Sequence, residues 1–112
     1  MEHLEMWVPG LPDAPLDAAC SFLEHSVPTI RQMLEAHAEL ASIEIVLSHA
    51  DHAHRAWRLA VVQELAREAA PVRVNAIVGE HESFIKETQA YLREAPGVTG
   101  QLFEVERHKW QF

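Results

Sequence analysis

The chain has 112 residues, enough for one hydrophobic core but not for two, and its 48% hydrophobic content belongs to a folded rather than a disordered chain. Nine Lys and Arg scattered among 17 Asp and Glu give a net charge of -8, which excludes the clustered positive surface that nucleic acid requires. No apolar run approaches the roughly 20 residues of a membrane helix, the opening MEHLEMWVPG lacks a basic signal-peptide region, and Cys20 has no second cysteine to pair with, so a reducing, cytoplasmic setting is expected.

In chain order, LEMWV (4–8) is a short apolar run closed by Pro9 and Gly10 and predicts a first strand. A turn with Pro12 and Pro15 follows. From Asp17 the apolar residues Ala19, Phe22, Leu23, Val27, Ile30, Leu34 and Ala38 recur at three and four, which predicts a helix. Pro28 lies inside that pattern and should kink or split the helix near Ser26. The β-branched run IEIVL (43–47) predicts a second strand.

Residues 51–70 carry the strongest helical pattern, with Asp51 placed to cap the first turn. Its apolar residues, among them Trp57, Leu59, Val61, Val62 and Leu65, spread wider than the stripe of about 100° that one sheet face buries. This helix is therefore expected to pack on two sides, one of them against another subunit. VRVNAIV (72–78) predicts a third strand, residues 82–95 a further helix ended by Pro96 and Gly97, and GQLFEVE (100–106) a last strand. Strands alternating with helices of this length imply βαβ crossovers of the usual right hand: a three-layer, Rossmann-like α/β half-domain with about four parallel strands in βαβαβαβ order, forming one domain over 1–112.

With these elements placed, several segments in the same order resemble the second half of a short-chain dehydrogenase/reductase. LEMWV followed by Pro9 and Gly10 resembles that family's fourth strand, and IEIVLS its fifth, which ends at the catalytic serine, here Ser48. LAREAAPVRVNAI is the most specific match, similar to helix six and the Arg-Val-Asn-Ala strand, and YLREAPGVTGQLFEV is similar to the last helix and strand seven. The departures are informative. No glycine-rich phosphate turn precedes the first match. Counting back from LAREAAPVRVN, the family's Tyr-x-x-x-Lys pair falls on Asp51 and Arg55, and an aspartate cannot replace a phenol as proton donor. The helix-four asparagine falls near Ser26, and the Asn-Asn-Ala-Gly turn on Val8, Pro9 and Gly10.

The resemblance therefore implies no catalytic residue set: Ser48, Asp51 and Arg55 are degenerate site positions, and NAD(P) is not expected. It also implies subunit contacts, because the family's helices matching 17–39 and 51–69 form a four-helix bundle between subunits. The expected partner is a second copy, in a dimer or tetramer, or a full-length short-chain dehydrogenase-like subunit. The alternative is a small-ligand or metal-binding protein using the crevice at the strand ends, where open α/β sheets place their ligands. Gly10, His49, Asn75 and Gly79 are its candidate residues. Within SHADHAH (48–54), His49, Asp51 and His52 are the candidate ligands for a divalent metal; as a plain helix start, the same segment would turn His54 to water. A serine hydrolase reading fails, since Ser48 lacks the flanking glycines of a nucleophile elbow. Cys20 reads as a buried small hydrophobe. The tail aromatics Trp110 and Phe112 are expected to need cover from a partner, and the eight histidines to make assembly pH-dependent.

Overall fold

A computed structural model of the chain describes residues 2–105; the tail aromatics Trp110 and Phe112, and His108, lie outside them. Four strands, β1 (Glu2–Trp7), β2 (Leu40–Leu47), β3 (Arg73–Val78) and β4 (Leu102–Glu104), form one sheet in the order β1-β2-β3-β4. Every neighbouring pair is parallel, as the alternation of strands and helices predicts. Each strand reaches slightly different limits from its apolar run, because pairing extends β1 back to Glu2 and β2 back to Leu40.

The crossover from β1 to β2 is one long helical stretch in three parts. α1 (Pro15–Ser21) begins with proline at its first position, where the missing N–H would have had no partner. A π turn (Phe22–Ser26) follows, and then α2 (Val27–Ala36). The irregularity falls immediately before Pro28. That proline cannot donate to the carbonyl four residues back, so the chain absorbs the break as one wide turn rather than by ending the helix. Asp51 caps the next helix as expected: its side chain accepts from Ala53 N at 3.1 Å, a single 3₁₀ turn (His52–His54) follows, and α3 runs from Arg55 to Ala69. α4 (Glu82–Arg93) links β3 to β4.

The two faces of the sheet are covered unequally. Ile43, Ile45, Leu47, Val74, Ala76 and Val78 pack against the π turn, α2 and α3 through Phe22, Ile30, Val62 and Leu65. On the other face Val46 and Ile77 meet Ile85 and Leu92 of α4. This arrangement corrects the expectation of uniform handedness. Strands that follow one another in sheet order keep their helices on one face if every crossover has the same hand, so α4, on the opposite face, makes the last crossover opposite in hand to the first two.

Because α4 sits over β2 and β3, the matching face of β1 carries polar residues instead. His3 Nδ1 lies 2.6 Å from Ser42 Oγ, and Gln89 Nε2 donates to Glu5 Oε1 at 2.6 Å. Trp7 is 47% exposed at the end of this row and donates from Nε1 to Glu5 Oε2. Trp7 is thus not part of the core. Cys20, expected to be buried, faces outward on α1, where the helical spacing turns it away from Ala18 and Phe22. No helix among the described residues is long and apolar enough to cross a membrane.

Candidate functional site

Parallel pairing brings the carboxyl ends of β1, β2 and β3 to one rim, and the loops after them carry most of the residues singled out above. Gly10, Ser48, His49 and Asp51 line one cavity of about 290 Å³. Ser48 also borders a neighbouring, more open cavity of about 440 Å³, whose far wall is Gly79 and Glu80. The two loops are tied together, since His49 N donates to Glu80 Oε2 at 2.7 Å. Glycine at 79 suits a close approach, since a Cβ there would stand 3.1 Å from the Val105 carbonyl oxygen, tighter than an ordinary contact.

Asn75 does not belong to this rim. It is buried near the start of β3, at the opposite end of the sheet, where Nδ2 donates to Val98 O and Oδ1 accepts from Gln101 N, both at 3.0 Å. Its amide satisfies both sides of the turn into β4, a turn that Gly100 completes at a φ of 73°. The Arg-Val-Asn-Ala strand is therefore a packing device here, and Asn75 leaves the list of crevice residues.

The positions of the family's proton-relay pair are occupied in a way that separates them. Asp51 is engaged by the first turn of its helix. Arg55 instead points its Nε to Glu104 Oε1, at 3.7 Å, on the last residue of β4. Ser26 is buried in the π turn. Among the described residues no group of three His, Cys, Asp or Glu side chains is arranged to hold a metal ion.

Two buried polar residues of the site lie outside the candidates that the sequence offers. His54 does not face water: it is buried, with Nε2 2.9 Å from Asp13 O and Nδ1 accepting from Trp57 Nε1 at 3.2 Å. The indole can only donate, so Nδ1 must be the acceptor and Nε2 the donor. This pins the loop after β1 to the start of α3, and Trp57 extends the contact to Phe22 with ring centroids 5.8 Å apart.

Arg58 follows one turn later and is only 6% exposed. Its Nη1 donates to Ser48 O at 2.9 Å, its guanidinium carbon lies 5.7 Å from the centre of the Trp57 ring, and its buried Nε has no hydrogen-bond partner. Burial pulls the Arg58 guanidinium down from its ordinary pKa, with the charge of Glu104 opposing. Residues 54, 58, 62, 65 and 69 follow helical spacing onto the buried face of α3. That pattern was available in the sequence, hidden only by the polarity of its first two members.

Searches of curated proteins and of solved structures find no match to this chain. The family model described as short chain dehydrogenase-like protein matches residues 6–105, which spans the sheet from β1 to the end of β4 and includes every element of the rim. The chain belongs to the SDR-like family of short chain dehydrogenase-like proteins.

Proposed function

We propose that this protein works by assembly and not by hydride transfer, as a homo-oligomer or as an accessory subunit beside a full-length short-chain dehydrogenase-like chain. The observation that carries the reading is an apolar groove of about 220 Å³ between the π turn and α2 on one side and α3 on the other, lined by Leu23, Val27, Ala60 and Val61. Leu16 and Leu23 stand 75% and 53% exposed along the same helical stretch. Large apolar side chains grouped on one surface favour burial against a partner. Arg31 and Glu68 close one end with two 2.8 Å hydrogen bonds, a polar rim beside an apolar centre.

The relay positions support the non-catalytic half of the reading. Asp51 caps its helix and Arg55 lies 3.7 Å from Glu104, and neither is the phenol or the amine that a Tyr-x-x-x-Lys proton relay uses. The test is the native mass of untagged protein before and after Leu23→Glu. Assembly through the groove predicts that the charge lowers the mass to that of one chain while the circular-dichroism spectrum is kept; an unchanged oligomer would remove this groove as the interface.

A further inference from the structure

We propose that the free edge of β1 pairs antiparallel with the β1 edge of a second copy of this chain, joining pairs already held at the groove around Leu23. The inference rests on the assembly reading for its partner and adds a surface distinct from that groove. β1 lies at one end of the sheet and is bonded on one side, to β2. Val8 N donates to Val46 O. By the alternation along a strand, the backbone groups of Leu4, Met6 and Val8 therefore turn to β2, and those of His3, Glu5 and Trp7 turn outward. Among the described residues no other strand pairs with that outward row.

Sheets guard exposed edges with very short strands, proline or lysine. The opposite edge, β4, is three residues long. β1 has six residues, EHLEMW, with neither proline nor lysine, and Trp7 at its end is exposed. The side chains then choose the occupant and the register, because a two-fold contact must be complementary to itself. An axis through Glu5 would set two carboxylates directly opposite each other, which is destabilising. An axis through His3 would carry Glu5 and Trp7 past the end of the partner's β1. An axis through Leu4 sets each His3 opposite the partner's Glu5 and brings the half-buried Leu4 side chains together. His3 and Glu5 are both outward-turned, so each such pair exchanges both of its main-chain hydrogen bonds. Such a contact is small, below the roughly 1,000 Å² of a lasting interface, so it adds to groove-held pairs and does not hold single chains together.

The test is disulfide cross-linking under mild oxidation in chains carrying Cys20→Ser, with Leu4→Cys compared against Glu5→Cys. In the proposed register Leu4 faces its own copy at a non-hydrogen-bonded pair, with Cα atoms about 4.5 Å apart, inside the span of about 4.4–6.8 Å that a disulfide bridges. Linked dimer should form about tenfold faster or more from Leu4→Cys. Glu5→Pro added to that chain should abolish the advantage, because it removes an outward N–H and no bond to β2. Equal rates, or a faster Glu5→Cys, would overturn the proposal. Should Leu4→Cys not fold, Glu5→Pro alone decides by sedimentation at high concentration: a halved mass is expected, and an unchanged mass overturns the edge contact. Leu23→Glu separates the two interfaces. A mass unmoved by Leu23→Glu, with Leu4→Cys linking retained, removes the groove and keeps the edge. A mass lowered by Leu23→Glu, with no advantage for Leu4→Cys, keeps the groove and removes the edge.

Discussion

Glu44, wholly withdrawn from solvent in the middle of β2, accepts from Arg93 Nε at 3.1 Å and lies 3.0 Å from Arg93 Nη2, while Ser42 Oγ donates to its other oxygen at 2.9 Å. This pair fastens the last turn of α4 to the sheet on the thinly covered face. Removing one member of a buried pair leaves the other charge uncompensated, so Arg93→Met should cost about 3 kcal/mol, at the lower end of the usual range because Arg93 itself is partly exposed. Glu44→Leu combined with Arg93→Met should cost less than Arg93→Met alone. Urea unfolding with a constant m-value is the measurement; a smaller loss for the single variant than for the double one would contradict this view of the pair.

Asn75 satisfies a backbone carbonyl and a backbone N–H across 23 and 26 residues. Asn75→Ala strands both groups in a buried turn, with an expected loss of about 2–3 kcal/mol in the same assay. If Asn75 served a ligand instead, stability would change little.

Asp51 is engaged as a helix cap, so Asp51→Ala should lower stability by about 1 kcal/mol and Asp51→Asn by less, since asparagine caps about as well. Thermal unfolding of the two variants side by side separates the capping role from any other.

Acid should loosen the β1 edge first. His3 has its pKa lowered from the ordinary 6.5, mainly by burial and next by Arg93. A histidine held below its unfolded value contributes stability that is fully present above that value and is lost as pH falls through it toward the folded one. Glu5 is lowered from 4.5, chiefly by the Trp7 hydrogen bond, so its contribution is present above 4.5 and is lost at still lower pH. Unfolding midpoints should therefore fall in two stages below about pH 6.5, and His3→Gln should remove the first; an unaltered first stage in that variant would assign it to another histidine.

Much of the architecture was legible because each element had a period of its own: β-branched runs gave the strands, and three-four spacing with Asp51 and Pro28 as punctuation gave the helices and the irregularity at Ser26. The face on which α4 lies was not legible, because the pattern in Ile85, Gln89 and Leu92 marks a buried side without saying which side of a sheet it meets. The rim was legible at Gly10, Ser48, His49, Asp51 and Gly79, where strand ends are fixed by turns. His54 and Arg58 were missed because polarity is an unreliable guide to exposure when a backbone carbonyl, Asp13 O or Ser48 O, is waiting inside.

Sedimentation velocity of untagged protein at neutral pH and several concentrations tests the proposed assembly most directly. A defined dimer or tetramer, or a stable complex with a short-chain dehydrogenase-like subunit when one is added, is the predicted result. A monomer at every concentration that also ignores such a subunit would contradict it.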